Sequence, residues 1–152
     1  MNLDRYTLYG NTGLLKPDRK RGTLELCRKP SDEGLRQAEL YAETLVLDGG
    51  ILVSSACGPL YQRMSTVPLR WGAPRILVFN GTLEDWLGAD LKEEPFRAAR
   101  LWRYRWDSKT DLAIAIGGRC DYNYVCAELR DTIYSIAGKV AVYDPEWNLA
   151  IA

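Results

Sequence analysis

The sequence predicts an α/β fold of three layers built on a mainly parallel sheet. Two observations carry this. Short apolar runs alternate with longer stretches whose apolar residues recur at helical spacing. The runs themselves (ILVSS from Ile51, RILVFN from Arg75, DLAIAI from Asp111) are continuously apolar rather than alternating in and out. Strands of that kind are buried on both faces, as in a parallel sheet covered by helices.

The elements follow in order. Residues 1–21 are polar and turn-rich (GNTG, KPDRKR) and read as an arm leading into one domain, 22–152. GTLELC, Gly22 to Cys27, alternates Leu24 and Leu26 and reads as a strand. Ser31 before Asp32 and Glu33 has the form of an N-cap and acidic first turn. The helix it opens runs to about Leu47, with Leu35, Ala38, Ala42, Leu45 and Val46 on one face, and stops at Asp48-Gly49-Gly50. After the Ile51 strand, prolines and glycines leave room for one short helix near Leu60–Thr66. Arg75–Asn80 is the next strand, closed by GTLEDW. In 88–110, DLKEEPFRAAR has helical character and LWRYRWD could extend as a strand. Asp111–Ile116 is a strand, and a helix is expected from near Asp121. Its apolar side holds Tyr122, Val125, Cys126, Leu129, Ile133 and Ile136, and Gly138 ends it. KVAVYD is the last strand. The sum is a Rossmann-like sandwich, in which ligands bind outside the carboxyl ends of the strands.

Composition removes several function classes. Histidine is absent, which excludes hydrolases with a histidine base and His-ligated metals. The 20 basic and 20 acidic residues cancel, so there is no global pull toward nucleic acid or anionic lipid. The start MNLDRYTLYG lacks a signal-peptide core, and no apolar run approaches the ~20 residues that span a bilayer. A cytoplasmic protein with no membrane partner is expected, its four cysteines reduced. No CxxC pair suggests zinc, and no cofactor is implied.

The candidate site lies at the predicted strand ends. Gly117-Gly118 after the Asp111 strand allow a sharp turn and a close ligand approach. A helix starting just beyond would offer free N–H groups to a phosphate, and Arg119 a charged contact. A plain strand-to-helix turn is the competing reading, since neither a Walker loop nor GxGxxG occurs. Arg28 and Ser31 close the first strand, Ser54 and Ser55 the second, and Asn80 the third. Cys27, Cys57 and Cys120 also follow strands; a soft-metal or redox site and ordinary small cysteines are the two readings. Glu84, Asp85 and Asp121 read as helix-start acids rather than catalytic carboxylates. RAARLWRYRW carries Arg97, Arg100, Arg103 and Arg105 among Trp102, Tyr104 and Trp106. If extended, it sets the aromatics opposite Arg103 and Arg105, either as single-strand-binding chemistry or as an edge strand with its rings in the core.

These residues carry a resemblance. R-K-P-S-D-E-G from Arg28, a helix, then GGILVSS, with LYGNTGLLKP upstream, resembles the nucleotide-binding region of DNA-processing protein A (DprA/Smf) in the SLOG superfamily. The likeness spans residues 8–143, with Arg28, Ser31, Gly34 and Ser54 matching best. It implies a Rossmann-like domain that binds a nucleotide or single-stranded DNA in DNA processing or recombination. Its phosphoribohydrolase cousins imply cleavage of a nucleotide N-glycosidic bond. The P-G-G-x-G-T-x-x-E pattern of those cousins is replaced here by Ile116-Gly117-Gly118-Arg119-Cys120-Asp121-Tyr122-Asn123-Tyr124. A non-catalytic nucleotide sensor is the third expectation. A homodimer is the other partner considered, through apolar surface near Trp71 and Trp86.

Overall fold

The computed structural model describes residues 2–27, 29–99, 102–144 and 148–151. Its strands are β1 (Thr7–Gly10), β2 (Arg21–Leu26), β3 (Ile51–Ser54), β4 (Arg75–Phe79), β5 (Leu112–Ala115), β6 (Val140–Asp144) and β7 (Asn148–Ile151). Its helices are α1 (Asp32–Leu47), α2 (Pro59–Ser65), α3 (Val67–Arg70), α4 (Leu83–Leu87) and α5 (Ala127–Ala137). The strands form one sheet in the order β1-β5-β4-β3-β2-β6-β7. β5, β4, β3, β2 and β6 run parallel, and the antiparallel β1 and β7 close the two edges.

The chain therefore steps outward from β2 through β3 and β4 to β5, then returns to place β6 on the far side of β2. The order reverses at β2, the kind of point where open α/β sheets bind ligands. Side chains of β2 show which helix covers which face. Gly22 lies against Tyr41 and Leu45 of α1, and Leu26 packs near Gly34 of the same helix. Arg21 instead sends its Nε to the carbonyl of Ile136 in α5, at 2.9 Å. Successive residues of a strand point to opposite faces, so α1 and α5 cover opposite sides and the fold has three layers.

Local chemistry explains the elements. Ser31 caps α1 by accepting from Gly34 N at 3.0 Å, as its sequence predicts. Thr82 and Asp85 form a reciprocal capping box at α4. β3, β4 and β5 are buried throughout, as continuous apolar runs require.

Several expectations are corrected. Residues 1–21 are not an arm: β1 lies along the β5 edge, and Leu14 is fully buried. The segment 102–106 forms no strand, because β1 already occupies that edge. It folds around a buried ion cluster instead. Arg75 is fully buried, paired with Glu94 and with Asp111 (Nε to Oδ2, 3.4 Å). Glu94 also accepts the backbone N–H of Phe96 at 3.1 Å and of Trp106 at 2.8 Å. Among the described residues of DLKEEPFRAAR, the helical structure is a short 3-10 turn at Arg97–Ala99. Trp86, expected near a dimer surface, is 3% exposed: it stacks on Phe79 and donates Nε1 to Asn80 O at 2.7 Å. Trp71 is exposed. Among the described residues no helix is long and apolar enough to cross a membrane.

Candidate functional site

The loop after β5 determines the shape of the carboxyl edge of the sheet. The helix expected from Asp121 starts only at Ala127, so residues 117–126 are loop. Tertiary partners hold this backbone out of helix. Asn80 Nδ2 donates to Asp121 O at 3.1 Å, and Asn80 Oδ1 accepts from Asp121 N at 3.4 Å. Asp121 Oδ1 accepts the N–H groups of Asn123 (2.9 Å) and Tyr124 (3.1 Å), a side-chain turn that competes with helix. Gly58 N, past the end of β3, donates to Tyr122 O at 2.8 Å.

Gly117 and Gly118 have φ of +83° and +79°, a region that side chains with a Cβ rarely enter. Gly117 is cross-bonded to Gly81 beyond β4, with Gly81 N to Gly117 O at 2.7 Å and Gly117 N to Gly81 O at 3.0 Å. A Cβ added at either Gly117 or Gly118 would meet nothing within 4 Å. Backbone conformation, not packing, selects these glycines, and their outer side is open.

That open side is a cleft of about 340 Å³, within the usual range of ~300–1,000 Å³ for small-molecule sites. Asn80, Gly117, Gly118 and Arg119 line it, with Asp121, Tyr124, Cys126 and Glu128. The start of α5 therefore borders the same cleft as the glycine turn, although residues 116–126 separate the helix from β5. Cys126, the N-cap of α5, makes no side-chain cap, which leaves the first N–H groups of the helix free of one. Glu128 is engaged: its Oε1 accepts from Tyr6 OH at 3.0 Å and lies 3.5 Å from Arg5. The Asn123 and Tyr124 N–H groups, and then Arg119, hold the Asp121 carboxyl below its ordinary range.

The remaining site residues are dispersed. Ser54 and Ser55 are fully buried and consumed internally: Ser54 Oγ bonds Ser65 Oγ, and Ser55 Oγ accepts from Cys57 N at 3.3 Å. They tie the exit of β3 to α2 and do not face the cleft. Ser31 is occupied as the cap of α1. Arg28 and Arg100 lie outside the described residues. Arg97 borders a different hollow with Gln62, Phe96 and Tyr122. Arg103, Tyr104 and Arg105 border a groove near Asp111, at the amino ends of the strands. Trp102 and Tyr104 are exposed, whereas Trp106 is buried, so the three aromatics do not share a face. Cys27 is exposed, Cys57 buried, and Cys120 half-buried. Burial pushes the Cys57 and Cys120 thiols up, which disfavours reactive thiolates.

Residues 121–126 also divide the carboxyl edge. Asp121, Tyr124 and Cys126 face the glycine cleft, while Asn123 and Val125 face a second hollow of about 330 Å³ beside the end of β2. Glu25, Tyr61, Arg130 and Tyr134 border that hollow. Sequence reasoning does not reach this group. Tyr61 and Tyr134 sit in helices among apolar residues, and only the polar Glu25 inside GTLELC hints at it. The chain matches no protein-family model, and it has no significant match among curated proteins or solved structures.

Proposed function

We propose that this chain is a nucleotide-binding domain that grips a phosphate group between the Gly117–Gly118 turn and the start of α5. One observation carries the reading: a glycine turn with an open outer side, Arg119, and an uncapped helix N-terminus border one cleft at the carboxyl edge. Free N–H groups at a helix start and an arginine fork both favour a phosphate oxygen. The cleft lies at the carboxyl ends of β4 and β5, the edge of an open α/β sheet where ligands bind, and away from the reversal at β2. The resemblance to the DprA-type region points to the same ligand class, and to a role in DNA processing. Asp121 and Glu128 are held by hydrogen bonds within the protein, so the cleft is equipped for binding more than for acid–base work. A mononucleotide fits better than a long single strand, because the arginine–aromatic segment is dispersed and its exposed part lies at the opposite edge.

A thermal-shift titration tests this. One arm uses nucleoside mono-, di- and triphosphates; the other uses a short single-stranded oligonucleotide at low and moderate salt. A ligand bound only by the folded state raises the melting temperature by mass action. The expected result is a rise with a mononucleotide. A rise with oligonucleotide alone that fades steeply with salt would shift the reading to backbone binding. No rise in either arm overturns it, and release of free base from a nucleoside monophosphate replaces it with an enzyme.

A further inference from the structure

The hollow beside β2 holds a polar group that the fold leaves unused. Tyr61 is 3% exposed, yet its hydroxyl has no hydrogen-bond partner among the described residues. That hydroxyl is not sealed off, and Tyr61 borders the hollow. A hydroxyl open to the hollow and without a protein partner is free to donate to and accept from a ligand there. Glu25 and Tyr134 border the same hollow. Burial first, and then Glu25, push the Tyr134 hydroxyl up to about 12; burial pushes Tyr61 up as well. Both phenols therefore keep their protons and offer neutral donor–acceptor groups.

The charges select the ligand class. Glu25 and Arg130 border the hollow, and Arg130 Nε lies 3.4 Å from Asp131 Oδ1, which leaves Glu25 as the acceptor for a neutral hydroxylated ligand. A carboxylate has several acceptor positions, which suit adjacent O–H groups on one ring. Pro30, Pro59 and Leu60 supply apolar wall for the face of such a ring. The location is the point where the strand order reverses.

We propose that this hollow is a second ligand site, separate from the phosphate cleft, and that it takes a ring with vicinal hydroxyls, such as a ribosyl group. Glu25 accepts the two hydroxyls, and Tyr61 completes the contact. The proposal does not depend on phosphate binding at Gly118 and Arg119.

The test is an NMR titration of the full chain with three phosphate-free probes: adenosine, 2′-deoxyadenosine and methyl β-ribofuranoside. The expected result is that adenosine binds and that 2′-deoxyadenosine binds about tenfold more weakly, the effect of one lost good hydrogen bond. Tyr61→Phe keeps the ring in place and weakens adenosine by a similar factor; Glu25→Gln does the same by a second route. Arg119→Ala, in the other cleft, leaves adenosine binding unchanged. Binding of the methyl riboside with the same dependence on Tyr61 identifies the sugar as sufficient, and binding of adenosine alone identifies a nucleoside site. Equal affinity for the two nucleosides, no binding of any probe, or full affinity in both Tyr61→Phe and Glu25→Gln overturns the proposal. Loss of adenosine binding in Arg119→Ala shows a single site and overturns it too.

Discussion

Asn80 and Asp121, 41 residues apart, are joined like neighbouring strands: the Asn80 side chain donates to Asp121 O at 3.1 Å and accepts from Asp121 N at 3.4 Å. One carboxamide thus replaces the backbone ladder where β4 and β5 have ended, and it fixes the loop that carries Gly117 to Arg119. Asn80→Ala leaves both Asp121 groups without this partner. Equilibrium unfolding in urea is expected to show a loss of about 1–3 kcal/mol. Phosphate affinity, read by calorimetry, is expected to fall more than tenfold because the loop loses its anchor.

Gly118→Ala separates conformation from packing. Its Cβ meets no protein atom within 4 Å, so the cost to the fold is the positive φ alone, roughly 1–2 kcal/mol. The new methyl projects into the open side of the turn. Nucleotide binding is therefore expected to fall by far more than stability does, when melting and affinity are measured on the same sample.

The fold was readable where burial imposes a pattern. β3, β4 and β5 are apolar throughout because helices cover both faces, and α1 shows its cap and its apolar face in one-dimensional order. The edges were not readable. β1 is only Thr7–Gly10, amid turn residues, and its place beside β5 depends on a partner more than a hundred residues away. The glycine cleft was half legible. Asn80, Gly117, Gly118 and Arg119 do come together, but Ser54 and Ser55 turn inward to bond α2 and their own loop. The late start of α5 was hidden for the same reason: Asp121 looks like a helix-start acid, and Asn80 and Gly58 draw that segment into loop.

Asp111 makes stability depend on pH. Burial pushes its carboxyl from an ordinary 3.8 to about 6, against the opposing pull of Arg75 and of the Asp107 and Arg75 N–H groups. Between those values the folded chain holds a proton that the unfolded chain has released. The Asp111 contribution to stability is then full below about pH 4, falls as pH rises toward 6, and levels off above, a total of about 3 kcal/mol at ~1.4 kcal/mol per unit. Urea midpoints taken from pH 4 to pH 7 should decline across that window. In Asp111→Asn the decline should largely disappear; an unchanged slope there would assign the effect to another group.

Thr23 offers a stabilising change. Its Oγ1 is buried with no hydrogen-bond partner among the described residues, on the β2 face that α5 covers. Thr23→Val keeps the shape and removes the stranded hydroxyl. A gain of about 1 kcal/mol in unfolding free energy is expected, read as a higher urea midpoint with an unchanged slope. A loss of stability would mean that the hydroxyl has a partner.

The central claim is that phosphate is held where the glycine turn meets the start of α5. Amide chemical shifts followed during titration with inorganic phosphate, and then with adenosine monophosphate, test it most directly. The account predicts that the amides of Gly118, Arg119, Ala127 and Glu128 move together and saturate at one affinity, with larger shifts for the nucleotide. If these four stay still while other amides respond, or if none respond to either ligand, the glycine turn is only a turn and the claim is wrong.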